Sequence, residues 1–593
     1  MSDSVLVIGG GIAGIQSALD LAEAGAKVYL VEKQATIGGV MSVLDKNFPT
    51  LDCSICIEAP KMSEVDLHPN IQIISPAEVV RVDGQAGNFQ VQIRRETRFI
   101  TDECTRCGDC TGACPVVMPN EYDSGMAARK AIFTPIPQSV PGTYLVDIEN
   151  CLNDPPNYMP CDRCVQVCPP KAIDFLMPRE TINTIDVSAI ILAVGYDMFD
   201  PRRMPEYGYG KHPDILTALE FERLVNSAGP TGGEIIRPSD GKHPENILFV
   251  LCVGSRDQRF YHYCSRFCCM YSIKHAYQAL DHGIEDVSVM YMDVRAFGKG
   301  FDGFWKRTEA EGAVFLRGRP ARISPNGNGS IQVLYEDTDQ AARKLAEYEM
   351  VVLANAVAPQ EGLTELADCL DIEVDEDGFI RANEIQGGLV MTTRPGIYTA
   401  GCVSGPKDIP DSVSEASAAA ALALSHLTER HWPDPIEVDA VEDIDTPRIG
   451  VFVCHCGSNI AGVVDVEQVV EFARGLPDVV FASHQMFSCA GNTQQEIEQA
   501  IKEENINRVV VAACSPKTHE SIFRGVLQRA GLNPYLLEMS NIRNMDSWVH
   551  KHEKAAATQK ANDMVWMAVE KARRLTPLEI SELPLIQKAL VIG

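Results

Sequence analysis

The chain opens on four consecutive apolar residues, Val5 to Ile8, that run into Gly9, Gly10 and Gly11. A short unbroken apolar run bounded by glycine predicts a buried parallel strand. IAGIQSALDLAEAG follows with helical spacing and stops at Gly25; KVYLVEK then predicts a second strand ending on Glu32. Residues 71–98 alternate apolar and polar around a turn at DGQAGN, which predicts a β-meander. Further buried strands are expected in INTIDVSAIILAV, in NILFVLCV (246–253), in EMVVLANAV (349–357) and before Ala400-Gly401, and the Ala-rich run 416–424 predicts a helix packed closely on a sheet. The acidic, proline-bearing stretch 432–447 reads as a linker. Beyond it RIGVFVCHCG begins a second alternation of strand and helix, a small α/β unit. The fold class is therefore α/β, with parallel sheets.

A chain of 593 residues should hold about three or four domains. No apolar run reaches the roughly 18 residues of a membrane span. The N-terminus has no basic start and apolar core of a secretory signal, so a cytoplasmic, reducing location is expected. The net charge of −29 argues against nucleic acid and anionic membrane as partners. In a reducing compartment the 20 cysteines point to metal or catalysis rather than disulfides.

The first strand, glycines, helix, second strand and acid form a G-x-G-x-x-G dinucleotide fingerprint in its proper setting. Gly9 allows the tight turn, Gly11 lets a pyrophosphate approach the helix N-terminus, Gly14 lets helix and strand pack, and Glu32 can accept from a ribose. Gly38 and Gly39 suggest a second close backbone approach. Cys104, Cys107, Cys110 and Cys114-Pro115 form the bacterial ferredoxin run C-x2-C-x2-C-x3-C-P. Cys151, Cys161, Cys164 and Cys168-Pro169 repeat it with the first ligand displaced upstream. Because the fourth cysteine of each run ligates the other cluster, one [4Fe-4S] is assigned to Cys104, Cys107, Cys110 and Cys168. The other goes to Cys114, Cys161, Cys164 and Cys151. Zinc is the alternative, and the spacing at Cys151 leaves open a three-iron cluster or a non-cysteine ligand. Cys53 and Cys56 form a C-x-x-C that reads as a redox pair, as metal ligands or, preferably, as two packed thiols beside a flavin pocket. After NILFVLCV a nicotinamide fold would carry its own glycine fingerprint. Only Gly254 follows, and Cys252, Cys264, Cys268 and Cys269 appear instead, as a cluster site or as buried thiols. Cys454, Cys456, Cys489 and Cys514 are expected at one edge of a parallel sheet, with His455, His519, His550 and His552 as alternative ligands.

VEK-x4-GG, carrying Glu32, Lys33, Gly38 and Gly39, resembles the FAD-binding half of thioredoxin-reductase-like flavoproteins. The strings FPTLDCSICIEAPKM, CHCG and AACSP resemble the HdrA family, the flavin-carrying subunits of the heterodisulfide reductases of anaerobes. ILAVGYDMFDP, with Gly195, resembles the second flavin-domain signature of such proteins. GIYTAGCVSGPKDIPDSV resembles the closing FAD motif, with Gly401, and with Cys402 where many relatives carry Asp. The resemblance implies one [4Fe-4S] on Cys252, Cys264, Cys268 and Cys269 and another on Cys454, Cys456, Cys489 and Cys514, about four clusters in all beside one FAD. It makes Lys274 a candidate cation near the flavin N5, against a solvated helix lysine, and puts Lys407 and Asp408 within reach of the ring. The implied domains are a Rossmann-type FAD part (1–97), an inserted 2[4Fe-4S] ferredoxin domain (98–180) and a return to the FAD domain (181–245). A second nucleotide fold carrying a cluster instead of NAD(P) (246–348) and a closing FAD part (349–431) follow. The linker then leads to a CHCG-type α/β domain (448–575) and, over 576–593, to the start of a second flavin module, since KALVIG nearly repeats VLVIGG. The chain is thus expected to be the front of a longer, duplicated protein.

The function implied is that of an oxidoreductase subunit that bifurcates electrons. Pairs enter from a hydrogenase or dehydrogenase partner, and leave to ferredoxin and, through HdrB/HdrC-like subunits, to a disulfide, in a multi-subunit, dimeric complex. The rivals are a non-bifurcating electron carrier, a two-electron disulfide-type oxidoreductase with its own small substrate, and a non-redox scaffold.

Overall fold

The computed structural model describes residues 3–153, 159–327, 329–383, 388–433 and 446–579, with 583, 586, 588–590 and 592 beyond them. Most of the expected linker and the terminal Gly593 lie outside the described residues. The chain divides into two compact units, Met1–Asp434 with Ala490–Asn492, and Pro435–Cys489 with Thr493–Gly593.

The first unit is built on a five-stranded parallel sheet in the order Ile397–Thr399, Ala189–Leu192, Ser4–Ile8, Lys27–Val31, Ile71–Ile74. Every residue of the central Ser4–Ile8 strand is buried, which is why it reads as a continuous apolar run rather than an alternating one. The Ile12–Glu23 helix covers one face and packs against the Ala-rich helix Ile409–Leu424, whose Ala416, Ala419, Ala420 and Ala423 are fully buried. Small side chains let the two backbones approach, and Ser17 Oγ donates across the gap to the Ala416 carbonyl at 3.3 Å.

Two expectations for this unit are corrected. The 71–98 meander is split: Ile71–Ile74 joins the parallel sheet, and only Ala77–Gln85 and Asn88–Glu96 form the antiparallel hairpin. INTIDVSAIILAV is likewise two strands. Glu180–Val187 extends the hairpin into three strands, and Ala189–Leu192 enters the parallel sheet. Asn88–Glu96 alternates buried and exposed residues and Glu180–Val187 is largely exposed, whereas Ala189–Leu192 is buried throughout.

Asn88–Glu96 and Glu180–Val187 pair along their whole lengths, from Phe89 opposite Val187 to Glu96 opposite Glu180. The Thr97 N–H then donates to the Arg179 carbonyl at 2.9 Å. Residues 97–179 therefore leave and re-enter between two adjacent strands. This excursion carries two five-residue helices, Asp109–Ala113 and Arg163–Val167, around a small core that includes Phe99, Ile132, Val146 and Ile173.

A seven-stranded sheet stands where the second nucleotide fold is expected, in the order Ile215–Thr217, Met350–Asn355, Asn246–Val253, Asp286–Tyr291, Val314–Pro325, Ile331–Asp337, Ala342–Tyr348. The first five run parallel, and the last two join them through successive antiparallel pairings. This sheet reaches beyond the expected 246–348 on both sides. Ile215–Thr217 and Met350–Asn355 belong to it, because a fully buried strand carries no mark of which parallel sheet it will join.

The second unit is a four-stranded parallel sheet, Val479–Gln485, Ile449–Cys454, Arg508–Ala513, Leu537–Asn541, flanked by the helices Val466–Arg474, Gly491–Glu503, Pro516–Arg529 and Lys554–Ala572. Val451, Phe452, Val510, Val526 and Val565 lie at its centre, each fully buried. No helix among the described residues is long and apolar enough to cross a membrane.

Candidate functional site

At the end of the first strand Gly9 takes φ +102, a conformation side chains disfavour. A Cβ on Gly14 would stand 1.8 Å from the Gly9 carbonyl oxygen, so helix and turn meet with no room for a methyl group. Gly11 is different: a Cβ there would meet only Gly39 Cα, at 3.9 Å. Its surface is free, as a backbone that receives a ligand must be. The Gly38 N–H donates to Gly10 O at 2.7 Å, and Gly11 bridges Gly38, which brings the second glycine pair onto the first. Glu32, at the end of the second strand, accepts the Gly10 and Gln34 N–H groups, each at 2.6 Å. Its burial raises the carboxyl above the usual range against these donors. Lys33 is exposed. The glycines and acid fit a dinucleotide of the FAD type.

Gly195 follows the Ala189–Leu192 strand at φ +79 with open space beside it. Gly401 takes φ +76 after the Ile397–Thr399 strand, and its N–H donates to Glu415 at 3.1 Å. The Cys402 thiol donates to the Lys407 carbonyl at 3.2 Å. Lys407 Nζ donates to Gly401 O at 3.0 Å and Ser404 Oγ at 2.8 Å and pairs with Glu415 at 3.4 Å. Lys407 thus braces this turn, and Asp408 caps the following helix by accepting the Asp411 N–H at 3.0 Å.

Lys274 lies in the Cys268–Asp281 helix and is 2% exposed, so it is not a solvated helix lysine. Its Nζ donates to both Glu222 oxygens, at 2.7 and 2.5 Å, and His275 Nε2 contacts the same carboxylate. Burial alone would raise the Glu222 carboxyl; the Lys274 ammonium and the His275 ring outweigh it and hold the group well below the carboxylate range. Burial, reinforced by Lys274, brings His275 down to about 4, so its ring is neutral at pH 7. The Asp45 N–H donates to Glu222 at 2.7 Å, and Gln278 donates to the Asp45 carboxylate at 2.7 Å. Burial lifts Asp45 to about 6. The loop that leaves the second glycine pair is therefore tied to Lys274 through Glu222. Tyr196, just past Gly195, lies within electrostatic reach of both Cys402 and Glu222.

The cysteines gather in fours. Cys104, Cys107, Cys110 and Cys168 line one small cavity, and Cys114, Cys151, Cys161 and Cys164 line another. Each cavity takes three cysteines from one run and one from the other. Burial pushes the Cys110 and Cys164 thiols up to about 11. In the second fold the Asn246–Val253 strand kinks: Cys252 takes φ +61 at a register shift. Cys252, Cys264 and Cys269 are all electrostatic neighbours of Cys268, and Cys268 and Cys269 open the helix that carries Lys274. In the second unit Cys454 ends one strand and Cys514 directly follows its neighbour, while Cys456 is an electrostatic neighbour of Cys454, Cys489 and Cys514. The Arg543 guanidinium favours the thiolates of Cys454, Cys489 and Cys514. Sets of four converging cysteines fit a thiolate-bound metal, whose charge draws off the thiol protons. His519 is buried and held to about 4 by burial and Arg543, so it adds no charge there.

The structure corrects one reading: Cys53 and Cys56 are joined as a disulfide, not packed as separate thiols. It also adds residues that carried no sequence signal. Glu222 is one acid of an ordinary amphipathic helix, Ala218–Val225, and Asp45, Gln278 and Arg543 sit in no motif. Glu58, in the Ser54–Leu67 helix, is fully buried with no hydrogen-bond partner for either oxygen, and burial pushes its carboxyl well above the usual range.

Comparison with known proteins supplies three findings. Residues 4–45 match the profile of the FAD dependent oxidoreductase family. The HdrA subunit of the H(2):CoB-CoM heterodisulfide,ferredoxin reductase of Methanothermobacter thermautotrophicus is 46% identical over 427 residues, 71% of this chain and 64% of that one. The second of two HdrA iron-sulfur subunits of the CoB--CoM heterodisulfide reductase of Methanopyrus kandleri is 47% identical over 451 residues, 75% of this chain and 67% of that one. The chain thus spans slightly under two thirds of the first relative's length.

Proposed function

The chain belongs to the HdrA family of heterodisulfide reductase iron–sulfur subunits, and from that premise we propose that it is a flavin- and iron–sulfur-dependent electron-transfer component of a heterodisulfide reductase-type complex. The observation that carries this reading is that the described residues hold four cysteine foursomes together with one complete dinucleotide cradle in the same chain. Flavin exchanges electrons in pairs or singly and iron–sulfur clusters singly, so together they convert one kind of traffic into the other.

Gly9, Gly11, Gly14, Gly38 and Gly39 hold the dinucleotide, with Glu32 at its ribose. Gly195, Gly401 and Cys402 border the ring. Lys274, fixed by Glu222, supplies a buried cation there, and Lys407 holds the closing turn. The excursion 97–179 holds two [4Fe-4S] clusters, one in each of its cavities. Cys252, Cys264, Cys268 and Cys269 hold a third, and Cys454, Cys456, Cys489 and Cys514 a fourth. Anaerobically purified protein is expected to contain about 16 iron atoms and one FAD per chain. Eight iron atoms would remove the two sites outside the excursion.

The complex bifurcates: electron pairs arrive from a hydrogenase- or dehydrogenase-type partner, one electron leaves to ferredoxin, and the other goes to a partner subunit that reduces a disulfide. Stopped-flow reduction with a single donor tests this. Ferredoxin reduction is expected only when a high-potential acceptor is also present; reduction independent of that acceptor would leave a non-bifurcating carrier.

A further inference from the structure

The Cys53–Cys56 disulfide is the one such bond among the described residues; the 18 other cysteines form none. It does little as a staple. It closes a loop of sequence separation 3, so it removes little chain entropy, and it lies across the start of a helix already fixed by burial: Cys53 is 4% and Cys56 8% exposed.

Its position explains it better. Cys53 is the N-cap of the Ser54–Leu67 helix, and its sulfur accepts the Cys56 N–H at 3.3 Å. A helix N-terminus whose N–H donates to sulfur favours a thiolate, which is the form that leaves when a disulfide is attacked. The same turn is bound to the flavin-side cluster. The Ser54 N–H donates to the Asp45 carbonyl at 2.7 Å, and Cys53 bridges Lys46. Asp45 in turn holds Glu222, which holds Lys274. The disulfide is thus bonded through three consecutive contacts to the lysine assigned to the flavin, and is shielded from external thiols.

We propose that Cys53 and Cys56 are a redox-active pair that stores an electron pair beside the flavin. Reduction breaks the Sγ–Sγ bond and leaves two thiols. The two electrons and two protons come from a fully reduced flavin, which is oxidised in the same step; reoxidation runs in reverse. The pair is a two-electron store that the one-electron clusters cannot provide. This rests on the reading that the cradle binds FAD.

The test uses the full-length holoprotein under anaerobic conditions. Dithionite is added stepwise, flavin bleaching is recorded, and each sample is quenched with iodoacetamide for peptide mass spectrometry. The peptide carrying Cys53 and Cys56 is expected to be unmodified at the start and to gain two carbamidomethyl groups as the flavin bleaches, while flavin-free protein under the same dithionite keeps the disulfide. The Cys53→Ser/Cys56→Ser double variant is expected to take up two fewer electrons per chain, with FAD and iron unchanged. Modification before any reductant is added, a disulfide that survives complete bleaching, or equal reduction without flavin would each overturn the proposal. Purified protein without flavin absorbance would instead overturn the assignment of the cradle, and the disulfide then has no donor.

Discussion

Replacing Lys274 with Met is expected to destabilise the holoprotein by about 3–5 kcal/mol, the range for breaking one side of a buried pair. Both partners are 3% exposed at the side chain, so water cannot take over the role of the lost ammonium. Glu222 would remain buried, with only the His275 ring and the neighbouring Asp45 facing it. The pH dependence follows from the same geometry. In the native protein Lys274 outweighs the burial of Glu222; without it burial dominates, and the folded-state pKa of Glu222 rises above its unfolded value. A group raised in this way is neutral in both states at low pH and loses stability as pH climbs toward the folded pKa. The deficit of the variant should therefore grow from pH 5 to pH 8. Removing the stranded charge as well, in Glu222→Gln/Lys274→Met, should restore most of the loss. Denaturant melts of the three proteins at several pH values decide the matter. A single-variant loss below about 1 kcal/mol, typical of an exposed pair, would mean that the site is open to solvent.

That pair also marks the limit of what the chain discloses before it folds. The glycine fingerprint was legible because its chemistry is local: strand, turn and helix follow one another within residues 4–23, and the constraint on Gly14 comes from Gly9 in the same turn. The two ferredoxin-type runs were legible for the same reason, their spacing being a property of each run. What joins them to the rest was not. The Thr97–Arg179 hydrogen bond that closes the excursion links residues far apart in sequence, and neither residue is unusual. Glu222 was invisible because its role depends on two other elements, the Asp45 loop and the Lys274 helix, that meet it only in the folded chain. Met350–Asn355 is legible in the sequence as a buried strand but not as a member of the seven-stranded sheet, since burial on both faces removes the alternation that would tell one partner from another. The disulfide is a case of a different kind. The C-x-x-C spacing was plain, but the expectation of reduced thiols came from the compartment, a property of the whole chain applied to one turn of it.

The cradle offers the sharpest separation of fold from ligand, because two of its glycines are small for different reasons. Gly14→Ala places a methyl group against the Gly9 carbonyl, 1.8 Å from the ideal Cβ position, and both atoms belong to rigid backbone. Helix and turn must separate, so this variant is expected to lose stability and FAD together. Gly11→Ala meets nothing closer than 3.9 Å, and Gly11 already has φ −74, which alanine adopts freely. The fold should accept it. The methyl group then occupies the surface on which the pyrophosphate approaches the helix N-terminus, and FAD content should fall at least tenfold while the melting temperature of the flavin-free protein stays within about 1 °C of the native apoprotein, as expected where no native contact is disturbed. Flavin absorbance per chain and melting of the flavin-free forms give the two readouts. Full FAD occupancy in Gly11→Ala would move the pyrophosphate off this turn, and with it the reason for placing the ring beside Lys274, Glu222 and the Cys53–Cys56 pair.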